Sequence, residues 1–405
     1  MFRTELADRP SPSTEAAPTP AERPARTRRL AAEALSAAAG LCAIACAVAA
    51  SPAWMQRHFL PDLLFSLRWQ LVVLWACRAI AAALGLALLG PLRPRLGRYF
   101  ARTPVRRFLA DAAPIVVAVA LALGASELAL RVFPALSRID PVGEPYRVRH
   151  PVLGWAPVPN HLGHDTVAGR PIVYATDEDG YRNAPGAAPV DPAKPTILFA
   201  GESIMLGFGL DWAETIPAQA QAMTGVQTAN LAVDGYATDQ AYLRLSRELP
   251  RFAHPAAVVM LYTPAVFHRN LDIDRPHLDA GLVLEPAADQ GRLMKVWRWL
   301  VPYRTEADIN RGAVRTREVF QAAQRMAAGR GAVMVVLVPQ FAPETPLETH
   351  LRQEILDRGH IPYIVAPVRS VLPHEIHPDP KSAREIAAQV SAWLQAHGVG
   401  TEPPG

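Results

Sequence analysis

The chain has 405 residues, 41 Lys plus Arg against 37 Asp plus Glu, a net charge of +4 and 50% hydrophobic residues. So small a charge, carried almost wholly by Arg because Lys194, Lys295 and Lys381 are the only lysines, argues against nucleic acid as a partner. The apolar share and a mean hydropathy of +0.08 predict a membrane part beside one large domain.

Residues 1–29 are rich in Pro, Ala, Thr, Glu and Arg without apolar periodicity and read as a disordered tail that closes on Arg23, Arg26, Arg28 and Arg29. Residues 30–134 read as a membrane domain with three transmembrane helices, drawn from apolar runs at 30–52, 69–91 and 112–130. The small residues of the first run also suit a signal peptide, but its charged lead-in is unusually long, which favours a retained helix. Arg78 sits inside the second run and Glu127 near the end of the third; they pair or each reaches the interface alone, and the second arrangement is preferred. Arg93, Arg95, Arg98, Arg102, Arg106 and Arg107 crowd the link between the second and third runs, whereas the first link carries only Arg57 and Arg68. Tail and second link are therefore cytoplasmic, and the rest of the chain faces outward from a bacterial inner membrane into the periplasm. Cys42, Cys46 and Cys77 all lie in the apolar N-terminal part, so the outward part needs no disulfide, which is compatible with an oxidising compartment.

Residues 135–195 carry many turn residues and short β-like pieces, among them Leu153-Gly-Trp155 and Asp179-Gly-Tyr-Arg-Asn183, and predict a small β-rich lead-in lobe. From 196 strands and helices alternate. Candidate strands are 196–200, 226–233, 256–262, 332–338 and 362–366; candidate helices are 212–224, 238–249, 311–329, 345–358 and 380–396. Asp211 with Glu214 makes a capping box, and Asp379-Pro380 an N-cap and first-turn pair. This alternation argues for an α/β fold, a doubly wound parallel sheet with helices on both faces. The gap 263–310 is a long loop, a usual place for substrate contacts.

The strand Thr196–Ala200 runs into Gly201-Glu202-Ser203 and then a helical turn. A serine there occupies the edge where open α/β sheets place their chemistry, and the helix N-terminus offers N–H groups to a developing negative charge. Ser203 thus reads as a nucleophile or as a plain helix cap. The stretches Asn230–Tyr236, with Gly235, Leu261–Asn270 and Pro373–Pro378, with His377, would gather on the same edge. His374 and His377 stand at i, i+3, but no companion Cys or carboxylate motif supports a metal site, and no organic cofactor is implied.

These blocks together resemble the SGNH/GDSL hydrolases, in the subgroup with N-terminal membrane helices. Gly201-Glu202-Ser203 stands for the usual Gly-Asp-Ser, Asn230–Gln240 matches the second block, His377-Pro378 matches the last, and LGWAPVPN with DEDGYRN resembles the segment before the first block. The resemblance covers roughly 145–398. It implies a flavodoxin-like five-stranded parallel sheet over 196–398, with Ser203 as nucleophile, His377 as base, and the Ser203 and Gly235 N–H groups as oxyanion donors. Two positions depart from the pattern: His374 stands where the family has Asp, and Ala265 where it has the oxyanion Asn, with Asn270 the nearest Asn. Neutral His374, Glu375 or a backbone carbonyl would then orient the imidazole. The implied activity is an esterase or deacylase acting on acyl or acetyl esters of envelope glycan or lipid. An envelope O-acyltransferase using the same serine, or a degenerate non-catalytic glycan-binding module, are the alternatives.

Overall fold

The computed structural model describes residues 22–60, 67–132, 146–288, 291–301 and 303–400. Its contacts divide the chain into a helical unit, up to Ser51 with Leu71–Ala122, and a second unit, Pro52–Gln70 with Leu123 onward. The N-terminal helices are α1 (Glu22–Ala49), α2 (Pro52–His58), α3 (Leu67–Leu89), α4 (Leu92–Arg102) and α5 (Val105–Val132). Three of them, over Pro24–Ala49, Trp69–Leu89 and Arg106–Val132, are long and apolar enough to cross a membrane. The first begins earlier than its apolar run: residues 22–29, expected in the tail, are helical, while residues 1–21 lie outside the described residues.

Within the helical unit α1 and α3 cross at glycines. A Cβ on Gly40 would meet the Gly85 carbonyl oxygen at 2.9 Å, so only small residues let the backbones approach so closely. Ser36 Oγ donates to the Leu88 carbonyl there, at 2.9 Å. The Arg78 guanidinium lies 4.5 Å from the centre of its own helix's Trp75 ring. Glu127, in the second unit, takes Arg131 at 2.7 Å and two backbone N–H groups of residues 292 and 293. Each of these charges thus has a partner of its own.

The second unit is organised by a strand buried on both faces. Along β6 (Thr196–Ala200) every residue is buried; Ile197 and Phe199 pack into one core, Leu198 and Ala200 into the other. Before it come β1 (Arg147–His150), β2 (Gly154–Pro157), β3 (His161–Val167), β4 (Arg170–Thr176) and β5 (Arg182–Asn183); after it α6 (Ser203–Leu206), α7 (Ile216–Thr224), β7 (Gln227–Asn230), α8 (Thr238–Glu248) and β8 (Pro255–Leu261). Two short strands, β9 (His277–Leu278) and β10 (Leu284–Glu285), and helix α9 (Arg292–Leu300) occupy the segment expected as one long loop. Then follow α10 (Glu306–Ala328), β11 (Val333–Gln340), α11 (Pro346–Arg352), β12 (Tyr363–Pro367) and α12 (Pro380–Ala396).

The sheet order is β12-β11-β8-β6-β7-β5-β4-β3. The first five are parallel, as expected, and the chain reverses direction of strand addition at β6. The lead-in segment is β-rich, as expected: β1 and β2 pair in a sheet of their own, while β5, β4 and β3 extend the main sheet antiparallel from β7. Helices α7 and α12 cover one face through Ile216, Ala220, Ile386 and Val390; α8 and α10 cover the other through Leu245, Phe320 and Ala323. Leu60, expected in a membrane link, is buried in this second core. The Asp211–Glu214 box caps a 3₁₀ turn, and Thr215 opens α7 itself. Asp379 caps α12 as expected, accepting from the Ser382 N–H at 2.8 Å.

Candidate active site

The cleft lies outside the carboxyl ends of β6 and β8, where the strand order reverses. It is a solvent-open space of about 310 Å³ lined by Gly201, Glu202, Tyr236, Leu261, Thr263 and Phe267, among others. Ser203 follows the lining residue Glu202 and opens α6, and His377 reaches it from the loop before α12. Their side chains are 174 residues apart in sequence, and His377 Nε2 stands 2.9 Å from Ser203 Oγ.

Local chemistry explains both placements. Glu202, not Ser203, is the N-cap of α6: its Oε1 accepts from the Ile204 N–H at 3.4 Å, which leaves the serine hydroxyl for other partners. Gly207 ends the turn at φ +82, and a Cβ there would fall 2.4 Å from Thr215 Cγ2. Arg182 is fully buried and holds the carbonyls after the helix, donating to Leu206 and Gly207 at 2.6 Å and to Leu210 at 2.5 Å. Burial pulls its pKa down to about 10, and its guanidinium lies 4.5 Å from the Tyr174 ring centre. Asn230 Nδ2 adds a donor to the Met205 carbonyl at 3.2 Å. The DEDGYRN stretch and the second block therefore fix the α6 turn from behind.

The histidine loop is closed by an antiparallel bridge, Val371 to Pro378, and by the Leu372 N–H donating to the His377 carbonyl at 2.9 Å. Phe208 packs on the imidazole with ring centres 4.6 Å apart. His374 does not orient it. It sits exposed at the tip of the loop with φ +60, and no contact joins it to His377 among the described residues. The carboxylate beside it is Glu375: its Oε2 lies 3.4 Å from His377 Nδ1, within ion-pair reach although without hydrogen-bond geometry.

Gly235 stands at φ +78 in the turn after β7. The β7 line continues past its last ladder residue, with the Val233 N–H donating to the Gly201 carbonyl at 3.1 Å, and this carries the turn to the serine's edge. The lead-in strands clamp it: Trp155 Nε1 donates to the Asp234 carbonyl at 3.0 Å, and Arg147 Nη1 approaches Asp234 Oδ2 to 3.2 Å. Arg275 donates to the Gly235 carbonyl at 2.7 Å. The Gly235 N–H meets no acceptor among the described residues. Asn270 is buried and fully engaged: its Nδ2 donates to Thr238 Oγ1 and Thr316 Oγ1, both at 3.0 Å, and its Oδ1 accepts from the Thr238 N–H. It buckles α8 to α10 and has no donor left for a ligand.

Three groups escaped the sequence reading. Glu202 Oε2 also takes a very short contact with Ser203 Oγ, so one hydroxyl proton faces a carboxylate and an imidazole. Arg269 Nη1 sits 3.5 Å from the same carboxylate and offsets its charge. Thr263 Oγ1, buried in the cleft wall, finds no partner among the described residues. Its position two residues past β8, level with Ser203 when the Ala200–Met260 register is continued, is the signal that would have found it.

No family model matches this chain, and no curated protein does. Its structural neighbours are lipolytic proteins of the G-D-S-L family and esterases. Among them are an acetyl xylan esterase from Butyrivibrio proteoclasticus (13% identity, 54% of this chain and 67% of that one, TM-score 0.33) and a GDSL-like lipase from Bacteroides thetaiotaomicron (15%, 52% and 92%, TM-score 0.31). A third is a member of the lipolytic protein G-D-S-L family from Veillonella parvula (10%, 48% and 95%, TM-score 0.30).

Proposed function

We propose that the second unit is an SGNH-type serine esterase or deacylase held on the outer side of a bacterial inner membrane. The observation that carries this is the 2.9 Å contact between Ser203 Oγ and His377 Nε2 at the reversal point of the sheet. In the reactive arrangement the hydroxyl donates to Nε2, and Nδ1–H faces Glu375. His377 takes the proton as Oγ attacks an ester carbonyl, then returns it to the leaving alcohol. The acyl-Ser203 intermediate is released by water in the same way. The Ser203 and Gly235 N–H groups and the Thr263 hydroxyl are the donors for the oxyanion, and Arg269 keeps Glu202 from opposing that charge. The substrate class, acyl or acetyl esters of envelope glycan or lipid, comes from the block resemblance.

The membrane topology has support of its own. The Arg304 N–H donates to the His58 carbonyl at 2.9 Å, and Phe59 bridges to Tyr303. The first link and the catalytic domain therefore share a side, as a chain crossing three times requires. A reporter enzyme fused after residue 135 is expected to be active in the periplasm; activity in the cytoplasm alone would reverse the orientation.

Reaction with a fluorophosphonate probe tests the enzyme reading. One feature favours the non-catalytic alternative: Asn270 is spent on structure, so the usual side-chain donor is missing. Absence of labelling in well-folded protein would select that glycan-binding reading. Thr263→Val is expected to lower kcat about 10²-fold with KM little changed, as for loss of one oxyanion donor. Glu375→Gln is expected to lower kcat about 10- to 10²-fold, the worth of a charge-assisted contact, while His374→Ala stays within about 2-fold of wild type. The opposite ranking of those two variants would return the orienting role to His374.

A further inference from the structure

Helix α9 takes no part in the site, yet its composition and attachment are specific. Its sequence, RLMKVWRWL, sets Leu293, Val296 and Trp297 on one side by helical spacing, with Met294 on the flank next to Trp297 and Lys295 and Arg298 on the other side. Met294 is 50% exposed and Trp297 58%, and none of its described residues is buried in a core. A soluble surface gives such side chains no reason to face water together.

The attachment says what covers them. The N–H groups of Arg292 and Leu293, the first turn of α9, donate to the two oxygens of Glu127 at 2.8 and 2.6 Å. Glu127 lies five residues before the end of Arg106–Val132, a helix apolar enough to span a bilayer. Gly291 permits the approach, since a Cβ there would meet Glu127 Oε1 at 3.3 Å. One turn from the end of such a helix is headgroup depth. Beside α9 in the same unit, Trp54 and His58 of α2 stack on Tyr303 with ring centres 6.0 and 5.8 Å apart. Aromatic side chains with a polar edge gather at that depth.

We propose that α9, with the Trp54–Tyr303 aromatic cluster, is an interfacial helix that lies in the outer surface of the bilayer through Met294 and Trp297. This rests on the membrane reading given above. The bilayer is the occupant because α9 is continuous with a spanning helix through the Glu127 cap and combines an apolar face with basic residues, the pattern of helices that lie in a headgroup layer. The segment carrying α9 also carries Arg269 to Glu202 and Arg275 to the Gly235 carbonyl, so the docked helix turns this side of the site toward the membrane. The ester this favours is one presented from the bilayer, on a lipid or a lipid-linked glycan.

The test uses the full chain with Cys42, Cys46 and Cys77 replaced by Ser and a single Met294→Cys label carrying an environment-sensitive fluorophore. It is reconstituted in phosphatidylcholine–phosphatidylglycerol vesicles containing lipids spin-labelled near the headgroup. The label is expected to be quenched by those lipids, whereas the same label at exposed Arg384, on α12, is not. A second variant, Met294→Glu with Trp297→Glu, is expected to cut hydrolysis of a vesicle-borne ester about 10-fold and leave a soluble short-chain ester within about 2-fold. A Met294 label no more quenched than the Arg384 control, in protein that remains in vesicles after alkaline washing, overturns the inference alone. Protein washed off the vesicles overturns the membrane reading beneath it.

Discussion

Replacing Ser203 by Ala is expected to abolish labelling by a fluorophosphonate and to lower turnover of an activated ester by about 10⁴-fold or more. The fold should not change, because Ser203 is 3% exposed, α6 is capped by Glu202 and not by the serine, and alanine leaves no overlap. His377→Ala is expected to cost nearly as much, and the double variant no more than either single one, because nucleophile and base act as one unit. The thermal midpoint in detergent is the control for both. Persistent labelling in a folded Ser203→Ala protein would place the nucleophile elsewhere.

The largest stability effect should come from Arg182→Met. The guanidinium serves the carbonyls of Leu206, Gly207 and Leu210, all in the buried turn behind the nucleophile. Methionine fills much of the volume but donates nothing. An abandoned buried acceptor costs about 1–3 kcal/mol, and relief of the desolvated charge returns part of the sum. The net expectation is about 3–5 kcal/mol, or a fall of roughly 10 °C in thermal midpoint. Activity at a temperature where the variant is still folded should fall too, since the loose turn carries Ser203. Arg182→Lys should rescue little, because one ammonium cannot span carbonyls spread over five residues. A midpoint within about 2 °C of wild type would show that water satisfies those carbonyls.

The parallel strands were legible because burial on both faces writes continuous apolar runs, as in TILFA and VVML. Ser203 and His377 were legible for a different reason: each sits between a strand end or loop and a helix start, punctuated by Gly or Pro. What the sequence did not disclose was mostly three-dimensional satisfaction. Asn270 read as a spare donor until Thr238 and Thr316 proved to consume it. His374 and Glu375 are neighbours in the chain, and only the left-handed backbone at His374 decides that the carboxylate meets the imidazole. Strands β3 to β5 looked like a lobe because short antiparallel pieces carry no mark of the sheet edge they will join. The α9 pattern was present in the letters, but a long Pro- and Asp-rich gap hid it.

Residues 52–60 leave the first apolar helix, give Leu60 to the core of the second unit and hydrogen-bond to residue 304 before the chain enters the next helix. That unit is therefore discontinuous in sequence. On the proposed topology its earliest piece is exported with the first hairpin of helices and waits until the chain has been made as far as residue 304. Excision of everything before residue 135 would remove that piece and leave an apolar socket open, so recombinant fragments of the second unit should be prone to aggregate unless residues 52–60 are supplied in trans.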